Sequence, residues 1–228
     1  MATSVLIIAE SGSGKSTSIE SLNPAETFII NVSSKPLPFK GWKSKYVLWS
    51  KENPSGNLYN TSNPDQVYAC LKYIHEKRPE IKNLIVDDIQ YMSAFEYFDK
   101  ANEKGYDKFT SIAANLARIV RLPKDLRDDL QVYFLTHAEE SVDMDGKKRV
   151  KAKTVGKMID NALTLEGLFS IVLFGKVKKD KVTKELSYIF ETQNNGENTC
   201  KSPRGMFDQP EIPNSLQLVR ESIINFEN

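Results

Sequence analysis

The sequence predicts an α/β fold of three layers, a largely parallel central sheet with an antiparallel C-terminal extension. Residues 5–9, 27–32 and 83–86 are continuous apolar runs rich in β-branched side chains, the pattern of strands buried on both faces of a parallel sheet. Stretches with helical spacing alternate with them, as a sheet covered by helices requires. Further along, residues 170–174 and 186–190 are strand-like runs joined through the lysine-rich stretch 176–184, and they predict an antiparallel pair.

Val5-Leu6-Ile7-Ile8-Ala9 leads directly into Glu10-Ser11-Gly12-Ser13-Gly14-Lys15-Ser16-Thr17, with a helix expected to begin near Lys15. The second run closes at Ser33-Ser34-Lys35-Pro36-Leu37-Pro38, where the prolines forbid further central pairing. Residues 46–49 suit a short edge strand. Asn63 before Pro64, with Gln66 three residues after the asparagine, marks a helix start. Val67, Leu71 and Ile74 form its buried stripe, and His75 on this charged helix is expected to be exposed. The third run ends abruptly in two carboxylates, Asp87 and Asp88. Polar helical sequence follows, with Phe109, Ile112, Leu116 and Ile119 at helical spacing until Pro123 interrupts it. Residues 131–137 predict a fourth strand ending in Thr136-His137. Asp143-Met144-Asp145-Gly146 supplies the turn of a small hairpin or loop, and residues 215–226 read as a terminal helix.

The 228 residues are 40% hydrophobic and 27% charged, enough for one sizeable core, so residues 1–228 are expected to form a single domain. A formal net charge of +1 argues against a uniformly basic nucleic-acid coat and against a polyanionic tail. Any nucleic-acid contact must therefore be a local patch. Cys70 and Cys200 lie far apart without metal-ligand spacing; neither a disulfide nor a zinc site is expected, and their scarcity suits a reducing compartment. The N-terminus shows no basic leader or cleavage site and no apolar stretch is long enough to span a bilayer, so a cytoplasmic location without membrane contact is expected.

A strand, a loop of small residues, Lys-Ser and a helix form the arrangement in which backbone N–H groups converge on phosphate oxygens. Gly12 and Gly14 permit positive φ and close approach to the anion. Lys15 supplies a charge for the β and γ phosphates, and the Ser16 hydroxyl is placed to ligate Mg2+. Glu10, Ser11, Gly12, Ser13, Gly14, Lys15, Ser16 and Thr17 are thus the expected cradle for ATP. The full pattern begins with glycine, whereas this chain has Ala9, the smallest substitute, and the change is expected to be tolerated. A flexible turn beside a surface lysine is the alternative, and the strand before the loop and the helix expected after it argue against it.

Magnesium needs a carboxylate from a neighbouring strand, a role that falls to Asp87. Asp88 is the candidate general base, with a solvated helix-capping aspartate as the alternative. Thr136 and His137 end a strand where a polar side chain can reach the γ phosphate. A histidine bonded to a neighbouring loop fits these residues equally well.

With these motifs in this order the chain resembles the RecA-like P-loop ATPases. The segments Lys35-Pro36-Leu37-Pro38-Phe39, Gly105-Tyr106-Asp107-Lys108-Phe109, Leu126-Arg127-Asp128-Asp129-Leu130, Thr164-Leu165-Glu166-Gly167 and Lys201-Ser202-Pro203-Arg204-Gly205-Met206-Phe207 are similar to tailed-phage ATP-binding proteins that include RecA-like single-strand annealing recombinases. The likeness extends over most of the chain. It implies a RecA-like core, ATP and Mg2+, a homo-oligomer in ring or filament form, and single-stranded DNA binding or annealing during recombination in the host cytoplasm. A single-strand DNA-binding protein is a further partner of that setting. In RecA the base is a glutamate at the end of a different strand, but Ile30-Asn31-Val32-Ser33-Ser34 offers no acid, which leaves Asp88. RecA-like assemblies also complete the ATP site with a cation from the next subunit; Lys151, Lys153 and Lys157 lie in the corresponding region, and an isolated subunit is then expected to turn over slowly.

Lys147-Lys148-Arg149 with Lys151 and Lys153 is the densest basic run, and phosphate contacts there would make DNA binding salt-sensitive. A solvated hairpin is equally consistent, since the run lacks an aromatic stacking partner. Two other function classes stay open: a nucleotide-type small-molecule kinase, for which no arginine-rich lid is identifiable, and a nucleotide-dependent assembly protein with little turnover.

Overall fold

The computed structural model describes residues 1–142, 148–154 and 164–228; the turn at Asp143-Met144-Asp145-Gly146, Lys147 and Lys157 lie outside the described residues. The strands are β1 (Thr3–Ala9), β2 (Thr27–Asn31), β3 (Leu58–Asn60), β4 (Asn83–Asp87), β5 (Gln131–Val142), β6 (Lys148–Ala152), β7 (Ile171–Lys179), β8 (Leu186–Glu191) and β9 (Glu211–Pro213). The helices are α1 (Trp42–Lys45), α2 (Pro64–Lys77), α3 (Gln90–Asp99), α4 (Asp107–Arg121) and α5 (Leu216–Glu227).

Among the described residues the strands form one sheet in the order β3-β2-β4-β5-β1-β7-β8-β9, with β6 paired to β5 off that path. Pairing is parallel from β3 through β7, and antiparallel for β7 with β8, β8 with β9, and β5 with β6. The parallel core and the antiparallel extension are those the sequence predicts.

The two faces of the sheet carry separate cores, which makes three layers. Leu6, Phe28, Leu84, Val132 and Phe134 meet α2, α3 and α4 through Val67, Leu71, Ile74, Met92, Ile112, Leu116 and Ile119. Val5, Ile7, Ile29, Tyr133 and Leu135 meet Ile19, Leu22 and the α5 residues Leu216, Val219 and Ile223. The start of α2 follows the expected cap: the Asn63 side chain accepts from the N–H groups of Asp65 and Gln66.

The helix expected to begin near Lys15 is a short 3-10 helix, Ser16–Ser21. Its serines bond backward to the backbone, Ser18 Oγ to the Lys15 carbonyl at 2.6 Å and Ser21 Oγ to the Ser18 carbonyl at 2.8 Å, and Pro24 blocks extension. Residues 46–49 contribute only the isolated bridge between Leu48 and Leu58; the edge strand is β3. His75 is half-buried, because its Nδ1 accepts the backbone N–H of Arg127 at 2.9 Å.

Arg127 also closes the C-terminal end of α2. Its guanidinium donates to the carbonyls of Ile74 at 2.7 Å, His75 at 3.1 Å and Arg78 at 3.0 Å, and to that of Ile81. These carbonyls line the last turn of α2 and the segment that leaves it, and a planar fork serves several of them together. Replacing Arg127 with Ala is expected to lower stability by about 2–3 kcal/mol through lost charge-assisted bonds, and Lys is expected to recover only a small part; urea unfolding midpoints check both.

Candidate phosphate-binding site

The parallel strands β1, β2, β4 and β5 all deliver their C-terminal ends to one edge of the sheet, where an α/β fold places its ligands. A cavity of about 660 Å³ opens there between the loop after β1 and the ends of β4 and β5. Glu10, Ser11, Gly12, Gly14, Lys15, Ser16 and Thr17 line it, as do Asp87, Asp88 and His137. Ser13 instead turns inward and braces the loop, its Oγ donating to the Glu10 carbonyl at 2.7 Å.

Gly12 and Gly14 have φ of +80° and +84°, the left-handed region that any side chain would strain. Gly14 carries a second constraint, since a Cβ there would stand 3.0 Å from Tyr188 Cδ1 of β8. The antiparallel extension therefore packs directly on the loop.

The departure at Ala9 has a structural counterpart. Ala9 is fully buried and pairs in register with Gly175 of β7, where an added Cβ would lie 2.9 Å from the Ala9 methyl. The glycine missing from the loop is thus present on the adjacent strand.

Lys15 is buried, and its Nζ donates to Asp88 Oδ1 at 2.8 Å. Asp88 sits immediately beyond β4 with φ of +62°, a conformation that aspartate tolerates better than bulkier residues and that turns the carboxylate back toward the loop. His137 Nε2 lies 3.4 Å from the same oxygen, and Lys35 Nζ lies 3.8 Å from Oδ2. Burial opposes ionisation of Asp88, but the His137 hydrogen bond and the Lys15 ammonium outweigh it and hold the carboxyl well below the usual carboxylate range. In this state Asp88 is a counter-anion and a weak base.

Asp87 accepts the Ser16 hydroxyl at 3.0 Å across the intervening strand β5. Burial pushes its pKa up to about 6, against the opposing charge of Lys15. A costly buried carboxylate next to a hydroxyl is a hard-oxygen donor pair that suits Mg2+, and Ser16 with Asp87 would hold it. Bound there, the ion would neutralise phosphate charge.

Thr136 is a correction. Its side chain lies on the same face as Val132 and Phe134, fully buried and without a hydrogen-bond partner among the described residues, and it does not line the cavity. Strand alternation gives that position to His137, whose backbone N–H donates to Gln90 Oε1 at 3.3 Å and whose ring meets Tyr91 edge-on at 5.8 Å.

The basic run is divided. Lys151 Nζ pairs with Glu139 Oε1 at 3.1 Å across the β5–β6 hairpin, the Arg149 side chain is exposed, and Lys153 is exposed with its N–H on the His137 carbonyl at 2.8 Å. Lys148 belongs to β6. Residues that sequence reasoning missed are Lys35, Tyr188 and Asn214, all on the cavity wall.

Fold and site together define a P-loop nucleotide-binding ATPase. A family model described as an AAA domain matches residues 1–204, and the chain belongs to that family. Comparison with curated proteins gives no match. Among solved structures the chain is similar to a KaiC-like protein from the hyperthermophilic archaeon Pyrococcus horikoshii OT3, with 13% identity over 82% of this chain and 76% of that one and a TM-score of 0.46. No helix among the described residues is long and apolar enough to cross a membrane.

Gly175→Ala is expected to destabilise the fold by about 1–3 kcal/mol through overpacking against Ala9. The double variant Ala9→Gly/Gly175→Ala should recover most of that loss, a coupling that urea unfolding of the four chains measures. Asp88→Asn keeps the left-handed backbone but leaves Lys15 without its counter-charge. The nucleotide-free protein should lose about 3 kcal/mol, and added ATP should raise its Tm by more than it raises that of the parent chain.

Proposed function

We propose that the chain binds ATP with Mg2+, hydrolyses it, and couples this cycle as an oligomer to single-stranded DNA during phage recombination. The observation that carries the ATPase part is the Ser16–Asp87 hydrogen bond at the cavity that also receives Lys15. The DNA part is supported by the segments similar to tailed-phage annealing proteins, with Arg149, Lys151 and Lys153 on the β5–β6 hairpin and Lys147, Lys148 and Lys157 as candidate DNA or subunit contacts.

Triphosphate entry takes Lys15 from Asp88 to the β and γ phosphates. With its counter-ion gone, Asp88 gains basicity and faces a water at the terminal phosphorus. The water oxygen forms a bond to that phosphorus as the bond to the β-bridging oxygen breaks, ADP keeps the electron pair, and the water proton passes to Asp88. Ser16 and Asp87 would hold Mg2+, which would supply charge neutralisation at the phosphates, while His137 holds the position of Asp88. Tyr188 and Pro213 offer a wall for the base and sugar.

A second reading is favoured by one feature. A cavity of about 530 Å³, lined by Gln90, Tyr91, Glu139 and Lys153, shares Glu10, Ser11 and His137 with the first and would suit a small phosphoryl acceptor.

Phosphate release measured with and without single-stranded DNA, over a range of salt and protein concentration, separates the readings. Stimulation by DNA that declines with salt is expected. Lys15→Ala should lower turnover by at least about a hundredfold, and EDTA should abolish it. Transfer of phosphate to a small acceptor, with no response to DNA, would support the second reading instead.

A further inference from the structure

We propose that Lys35 is a second phosphate-recognising cation of this site, supplied by the same chain, and that it contacts the terminal phosphate and so selects a nucleoside triphosphate over a diphosphate. The inference rests on the ATPase reading and adds to it a residue and a specificity.

Both oxygens of Asp88 face an ammonium group: Oδ1 accepts a hydrogen bond from Lys15 at 2.8 Å, and Lys35 stands 3.8 Å from Oδ2 as a charge contact. An oxyanion held from two sides by two ammonium groups is what a terminal phosphate would present to the same pair. The carboxylate is its stand-in while no phosphate is bound.

The strand order says which phosphate Lys35 would meet. The loop of Gly12 to Ser16 rises from β1, and the sheet continues through β5 and β4 to β2, whose loop carries Lys35. A phosphate chain anchored on the β1 loop and running toward Asp87 and Asp88 meets Lys35 at its far end.

The backbone under Lys35 is built to hold it there. Asn31, 3% exposed, donates its Nδ2 to the Lys35 carbonyl at 2.7 Å. The Ser34 N–H donates to the Asn31 carbonyl at 3.3 Å with Ser34 at φ of +54°, and Pro36 restricts Lys35 itself to extended backbone. The ammonium rests 4.9 Å from the centroid of the Tyr91 ring, a cation–π contact that keeps it over the cavity mouth.

Exposure separates the roles of the two lysines. The Lys15 side chain is 7% exposed, whereas that of Lys35 is 61% exposed. The Lys35 end of the pair is solvent-exposed and its 3.8 Å separation from the buried Asp88 carboxylate is longer than a hydrogen bond, so the contact contributes little to stability beside that of Lys15, and the long Lys35 stem is free to move to a ligand.

The test is titration of the parent chain, Lys35→Ala and Lys35→Arg with Mg2+ and either ADP or a non-hydrolysable ATP analogue, together with ATP turnover. Lys35→Ala should melt at the parental temperature without nucleotide, bind ADP as the parent does, bind the triphosphate about tenfold more weakly, and lose on the order of a hundredfold in kcat. Lys35→Arg should recover most of the triphosphate preference. Mixing Lys35→Ala with Lys15→Ala should restore no turnover, because each intact lysine serves its own chain.

Equal weakening of both nucleotides, or of neither, would overturn the assignment while leaving the ATPase reading intact. Recovery of turnover on mixing would overturn the same-chain claim. A parent chain that binds neither nucleotide would overturn the ATPase reading and this inference with it.

Discussion

A buried ammonium cannot stand without a partner, and in this chain the partner of Lys15 is Asp88. That constraint organises the site. Asp88 must leave β4 in a left-handed conformation to reach Lys15, and His137 and Lys35 gather round the resulting carboxylate. Lys15 and Lys35 thus both stand against one internal anion. In the proposed function a ligand phosphate would exchange one oxyanion for another, which would limit the cost of desolvating Lys15 anew.

The sheet order makes this convergence possible. Because β5 lies between β1 and β4, its residue His137 stands between the phosphate loop and the paired aspartates. His137 reaches Asp88 from that central position, and Ser16 reaches Asp87 across it. The antiparallel extension has its own part, since Tyr188 packs against Gly14 and Gly175 leaves room for the Ala9 methyl. Loop geometry is therefore held from the β7–β8 side, while the charge arrangement is set from the β4–β5 side.

Much of this was legible in the sequence because the signals are local. Uniform apolar runs marked β1, β2, β4 and β5, and the spacing of Gly12, Gly14, Lys15 and Ser16 marked the phosphate loop. What was not legible depends on pairing. Thr136 and His137 could not be told apart, because a strand buried on both faces carries no polar alternation to show which side meets the ligand. Lys35 read only as part of the segment that closes the second run, since its place opposite Lys15 follows only from β2 lying beside β4. The role of Gly175 likewise needs the β1–β7 register, and β3 and β9 are too short for periodicity to mark. His75 appeared solvent-facing on its helix until Arg127, distant in sequence, closed over it.

The central claim is that Asp88 occupies the place of a phosphate and yields Lys15 when a nucleotide arrives. A crystal structure of the chain with Mg2+ and a non-hydrolysable ATP analogue tests it directly. The account predicts that the 2.8 Å contact between Lys15 Nζ and Asp88 Oδ1 is broken, with Lys15 on the β and γ phosphates and Asp88 turned toward the water side of the terminal phosphorus. A complex in which the nucleotide is bound while the Lys15–Asp88 pair remains closed would contradict it.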